Sequence, residues 1–178
     1  MKKNVLVIGM IAGLIVSIFM VSSIALGYAQ EDFEGNMLLG YASMILAFSL
    51  IFVGVKNYRD KYNQGIISFG QAFKMGLYIS LVASSLYVVV WLIDYYVFIP
   101  DFMDKYTAHV LKEAQNNGSN LAELKSKAAE MANYREMYQN PVLVILFTYF
   151  EILPVGIVVS LITAFILKRK SSSAVQVA

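Results

Sequence analysis

Glu151 stands ten residues into the apolar run that begins at Pro141, about 15 Å along a helix axis at 1.5 Å per residue. A charge held at that depth in a bilayer costs at least ~2.5–3.5 kcal/mol. An acid so placed does one of two things. It exchanges a proton or holds a cation, or it stays protonated and donates a structural hydrogen bond across the helices. Ser84, Tyr87 and Thr148 fall at similar depth and are the candidate partners. Pro154, three residues on, has no N–H, so the carbonyl of Phe150 loses its helical partner. Phe150 to Gly156 therefore reads as a kinked polar spot near the middle of a membrane. Asp94 is the second carboxylate in an apolar run. It lies five residues from the end of that run beside Tyr95 and Tyr96, which predicts a hydrated acid at the interface.

Other chemistry is thinly supplied. The 178 residues include no cysteine, which removes disulfides, thiolate metal sites and Cys nucleophiles together. His109 is the single histidine, with Glu113 one turn later. One His and one carboxylate do not complete a metal shell. There is no phosphate-binding glycine loop, no HExxH and no GxSxG. The expectation is a non-enzymatic protein with no cofactor and no metal.

The elements that must position Glu151 are four apolar runs. Hydrophobic residues make up 58% of the chain and charged residues 15%, against about 25% charged in soluble domains. Mean hydropathy is +0.63. The runs cover about 5–29, 37–55, 69–99 and 141–167, each long enough to span a bilayer at about 20 residues. The first, behind Lys2 and Lys3, is also shaped like a secretory signal with Gly27 and Ala29 at a cleavage position. Its length exceeds the ~7–15 residues of a signal core, so it reads as a retained helix. Ser68 reads as the N-cap of the third helix. The tail, 171–178, reads as disordered.

Charge predicts orientation. Lys2, Lys3, Lys56, Arg59, Lys61, Lys74, Lys168, Arg169 and Lys170 fall on one side of the membrane, opposed by Asp60 alone. The positive side is cytoplasmic. Both termini and the basic loop 56–65 are then inside, while the acidic link Glu31–Asn36 and the segment 100–140 are outside. The basic residues are expected to contact lipid headgroups, with Lys74 snorkelling back to them. That explains the loop carrying Tyr58 and Tyr62 more simply than nucleic acid does. Trp91, Tyr95, Tyr96 and Phe98 would form an outer aromatic belt, with Tyr28 and Tyr41 near the same level.

Small residues recur at every fourth position in three of the runs. They are Gly9, Gly13 and Ser17; Gly76, Ser80 and Ser84; and Gly156, Ser160 and Ala164. Such ridges let helix backbones approach closely. All three lie in the cytoplasmic half, which predicts a tight inner half and a looser outer half around Glu151.

The polar segment 100–140 has two amphipathic patterns split by Asn116-Asn117-Gly118-Ser119. Phe102, Tyr106, Val110 and Ala114 mark one stripe. Leu121, Leu124, Ala128, Met131 and Tyr138 mark the other. Asn120 and Glu123 have the spacing of a capping box. Asp101–Lys105 and Glu123–Lys127 are acid-first pairs at i,i+4. Asn117-Gly118-Ser119 matches a glycosylation acceptor but reads as a turn. Pro100 and Pro141 suit first helical turns. The pattern predicts a helical hairpin that either caps the bundle or docks a partner.

Several stretches resemble one family. They are Met1–Leu6, Gly54–Asp60, Gly65–Lys74, Ile99–Phe102 and Glu151–Gly156. Together they are similar to the membrane family designated domain of unknown function 4199, over roughly 1–170. The resemblance implies a protein of the inner membrane of Bacteroidetes-type bacteria, with the hairpin in the periplasm. It carries no activity and no catalytic residue. The expected fold is all-α: an integral membrane four-helix bundle with an extracytoplasmic helical hairpin between the third and fourth transmembrane helices. Its expected partners are the lipid bilayer and either a second copy or an envelope protein, not nucleic acid. Its function is expected to be partner docking or capping by the hairpin, or else small proton- or ion-coupled transport centred on Glu151.

Overall fold

The structure is a computed structural model that describes residues 1–30 and 37–169. The acidic link Glu31–Asn36, Lys170 and the tail lie outside the described residues. Six α-helices follow in order: α1 (Lys2–Gln30), α2 (Met37–Tyr62), α3 (Phe69–Ile93), α4 (Phe102–Asn116), α5 (Leu121–Tyr138) and α6 (Pro141–Leu167). A π-helical turn, Asp94–Phe98, continues α3. Helix accounts for 89% of the described residues, and no strand is present among them.

Four of these helices, α1, α2, α3 with its π-turn, and α6, are long and apolar enough to cross a membrane. Their outer surfaces show why they are so apolar. Leu14, Ile18, Leu46, Phe150 and Phe165 all point away from the protein, each about half exposed or more. No solvated polar face balances them, so hydrocarbon is the surrounding that suits them.

Helix ends are set by local chemistry. The Ser68 side chain accepts from the Gln71 amide at 3.2 Å and starts α3. Asn120 accepts from the Ala122 and Glu123 amides while Glu123 accepts from the Asn120 amide, a complete capping box. Asn140 caps the Val142 amide, with Pro141 in the first turn. Gly118 has φ +77°, which ends α4 in a conformation that side chains resist. Because Glu123 is drawn back to its cap, the i,i+4 pair with Lys127 is not among the ion pairs formed, whereas Asp101–Lys105 is, at 2.9 Å.

α3 is the centre of the bundle. It packs against α1 on one side and α6 on the other, and α2 closes the far side against both. The approach is closest through small residues. A Cβ on Gly9 would sit 2.7 Å from the Val82 side chain, and one on Gly13 would sit 2.9 Å from the Ala83 carbonyl. Across α3 and α6, Gly76 lies under Ser160 and Gly156 lies under Ser80. Ser17, Ser84 and Ala164 are buried in the same seams. Beyond the end of α3, the Ile67 and Arg169 backbones exchange two hydrogen bonds, at 2.8 and 3.2 Å. Asn4 donates to the Gly54 carbonyl at 2.9 Å. These contacts fasten both chain ends and the α2–α3 loop at one end of the bundle.

The opposite end is different. The first turns of α2, Leu38 to Ala42, are exposed. α4 and α5 lie there instead, joined by the Asp104–Arg135 ion pair at 2.9 Å. Tyr28 donates to Asp101 at 3.2 Å and the Lys105 ammonium lies 4.3 Å over the Tyr28 ring, which holds the start of α4 to the end of α1. The Tyr96 hydroxyl donates to the Tyr138 carbonyl at 3.0 Å and holds the end of α5 to the π-turn.

Three expectations are corrected. α2 does not stop at Val55 but runs to Tyr62, since the helical backbone continues through the charged residues that end its apolar stretch. Asp94 is buried at 9% exposure rather than hydrated, because the wider π-turn, closed by the Ile99 amide on the Asp94 carbonyl at 2.9 Å, rotates Asp94 and Tyr95 inwards. The α5 stripe is only partly buried: Met131 is inside, but Leu121 is 71% exposed.

Candidate functional site

The loose end of the bundle holds an open-sided cavity of about 650 Å³. Its walls come from five helices. α1 gives Met20 and Ile24; α3 gives Tyr87 and Trp91; α6 gives Phe147, Thr148 and Glu151. The roof comes from Phe102, Met103 and Tyr106 of α4 and from Glu130, Met131, Tyr134 and Tyr138 of α5. No residue of α2 lines it, because the first turns of α2 stand away from the bundle.

An aromatic lattice supports the walls. Trp91 meets Phe102 edge-on with centroids 5.5 Å apart, Tyr95 meets Tyr138 at 5.4 Å, and Tyr106 stacks on Phe102 at 5.8 Å. T-shaped contacts of this kind are favoured by the ring quadrupoles. Half of the expected interfacial belt is therefore core: Trp91 and Tyr95 are each 8% exposed, while Tyr96 and Phe98 face outwards.

Glu151 is the carboxylate on the bundle side of this cavity. It is exposed there, and no hydrogen bond or ion pair joins it to another described residue. The structural hydrogen bond across the bundle is not made. Thr148 donates instead to the Val144 carbonyl of its own helix at 2.7 Å. Ser84 is fully buried with an unpartnered hydroxyl and does not line the cavity. Tyr87 does line it. Tyr138, above the bundle, is pushed up to about 12, first by burial and then by the negative charge of Glu151. Pro154 is exposed, like Phe150, and turned away from the cavity, within an unbroken α6.

Asp94 is not part of this site. It lines a second cleft of about 570 Å³ between α1 and α3, with Tyr28, Val90 and Phe98, and its Oδ2 has no partner. Two polar contacts escaped the sequence. Ser80 and Ser160 meet at 3.2 Å in the α3–α6 seam, and Ser85 meets Tyr149 at 2.7 Å nearby. The basic residues expected to meet lipid headgroups gather, where described, at the fastened end. Arg59 reaches the Leu167 carbonyl at 3.4 Å and pairs with Asp60 at 2.6 Å. Lys74 lies 5.9 Å over Tyr78 and Lys168 lies 5.1 Å over Phe165.

Fold and site together define an all-helical protein with four apolar helices of membrane-crossing length, compatible with a multi-pass membrane protein. Residues 8–169 match the model of one family, described as a protein of unknown function, DUF4199. The chain belongs to that family. No curated protein and no solved structure matches it.

Proposed function

We propose that the chain is a non-enzymatic, multi-pass protein of the cell inner membrane, with both termini cytoplasmic, whose external α4–α5 hairpin caps a ligand cavity ending on Glu151. The cavity carries this reading: half of its lining belongs to α4 and α5, and the other half to the helices of the bundle. A hairpin that only covered the bundle would pack its apolar side chains onto it and leave no such volume. Orientation rests on the lysines and arginines at the fastened end.

A cysteine in place of Glu151 tests it cleanly, since the chain has no other. In spheroplasts, a small membrane-impermeant thiosulfonate should label Glu151→Cys from the external face. Labelling only from the cytoplasmic face of inverted vesicles would reverse the topology, and no labelling from either face would remove the open cavity.

Ion-coupled transport through Glu151 is the second reading, favoured by its exposure within the cavity. Against it stands the α3–α6 seam. Beyond Glu151 the two helices are closed by the Gly156–Ser80 and Gly76–Ser160 contacts, which leave no room for a solute. Solute or ion flux in proteoliposomes that falls with Glu151→Gln would favour transport over simple binding.

A further inference from the structure

We infer that the capped cavity takes an amphipathic organic cation, such as a lipophilic quaternary ammonium or phosphonium. The inference rests on the capped-cavity reading and names its ligand. The composition of the lining carries it. Two carboxylates, Glu151 and Glu130, face the cavity, and no Lys or Arg does. The basic side chains closest in sequence to the roof are already engaged, Lys105 with Asp101 and Arg135 with Asp104, both at 2.9 Å. The remaining polar surface is largely phenol and indole. Aromatic faces carry the negative end of a ring quadrupole and attract cations, tryptophan most strongly. An anion would meet repulsion from both carboxylates and from the ring faces, with no donor cluster to compensate.

The size of the cavity and its apolar share exclude a bare ion. About 650 Å³ is the volume of a drug-sized molecule's pocket. No group of three metal-ligating side chains exists among the described residues. Met20, Ile24 and Phe147 would hold hydrocarbon, not water. The ligand therefore needs a diffuse positive charge on an apolar body.

Trp91 gives the measurement, being the single tryptophan and part of the lining. The full chain in phosphatidylglycerol nanodiscs is titrated with tetraphenylphosphonium and, separately, with tetraphenylborate, which has the same shape and the opposite charge. Saturable change of Trp91 fluorescence is expected with the cation alone. Glu151→Gln should weaken it at least tenfold. Tyr106→Leu should weaken it several-fold while Tyr106→Phe leaves it unchanged, a contrast that loss of folding would not produce. Nanodiscs that also contain phosphatidylethanolamine separate the sources of the cation. Competition there assigns a lipid ammonium headgroup, and no competition assigns a free solute. Equal saturable binding of the borate would overturn the cation assignment while leaving the ligand cavity standing. Binding of neither probe would overturn both.

Discussion

Ser80 and Ser160 meet hydroxyl to hydroxyl at 3.2 Å, and each sits over the glycine that precedes the other by one turn. Ser80 also donates to the Gly76 carbonyl at 3.0 Å and Ser160 to the Gly156 carbonyl at 2.7 Å. The arrangement is reciprocal: each helix offers a small knob and a bare patch of backbone, and the partner fills both. A Cβ on Gly156 would lie 2.7 Å from Ser80 Cβ and Oγ, with the buried Phe48 ring closing the other side at 3.1 Å. Nothing there can withdraw.

Gly156→Ala should therefore destabilise the bundle by about 1–3 kcal/mol, the usual cost of overpacking. Ser80→Gly on the same chain removes the obstructing atoms and should recover much of the loss. A double-mutant cycle of unfolding in mixed micelles measures the coupling. Purely additive effects would mean that the two positions do not touch.

Asp94 should cost the fold stability rather than add to it. A buried carboxyl oxygen without a partner costs about 1–3 kcal/mol. Asp94→Leu removes that cost and adds apolar surface to the α1–α3 cleft, so the variant should melt higher than the parent. A lower melting temperature would show that Asp94 has a favourable interaction in the membrane.

The Asn120 cap should act locally. Asn120→Ala should cost about 0.5–2 kcal/mol. The loss should appear as faster hydrogen exchange at the Ala122 and Glu123 amides. Exchange in the α3–α6 seam should stay unchanged, because α5 touches the bundle mainly near its far end, at Met131 and Tyr138.

Tyr138 should report on Glu151 through its ionisation. Its folded value, about 12, is above the ordinary 10. A raised value favours the neutral phenol in the fold, so its share of stability is present below pH 10 and fades as the pH climbs to 12. Glu151→Gln removes the nearby negative charge and should draw the Tyr138 transition downwards. The transition is isolated by subtracting the tyrosinate absorbance of Tyr138→Phe. An unmoved transition would separate the two groups electrostatically.

Asp101 runs the other way. Its pairing with Lys105 and the hydrogen bond from Tyr28 hold its carboxyl below the usual range. A depressed value contributes above the ordinary carboxylate range and is lost as the pH falls through the folded value. Acid should thus loosen the α1–α4 junction first, seen as earlier protease cleavage near Pro100, and Asp101→Asn should show that cleavage already at neutral pH.

The all-helical character and the four apolar spans were legible because hydropathy reports burial in lipid directly. Helix length was not. Lys56 ended the apolar run, yet the backbone continues helical to Tyr62, where Tyr58 and Tyr62 stack at 6.2 Å. Hydropathy marks where the apolar run stops, not where the helix does. Asp94 was misplaced because a π-turn leaves no sequence pattern, and one extra residue per turn is enough to bring an outward side chain inside. Glu151, Tyr87 and Thr148 were named from depth along their helices, and depth does bring them to one cavity. Trp91, Glu130 and Tyr134 were missed as lining because α4 and α5 must fold back over the bundle before they face Glu151. Glu130 stands one residue before Met131 of the α5 stripe, but nothing local aims it downwards.

The paired backbones of Ile67 and Arg169 give the molecule a mechanical asymmetry. They tie the α2–α3 loop to the end of α6, and with the glycine–serine seams they make one end of the bundle the root of a pair of tongs. The cavity ends of α1 and α6 are its arms, joined through α3, with α4 and α5 laid across them. A force on α4 or α5 has its lever arm at the cavity and its fulcrum at the seam. Small rotations there would be read as a change of cavity volume, with the fastened end standing still.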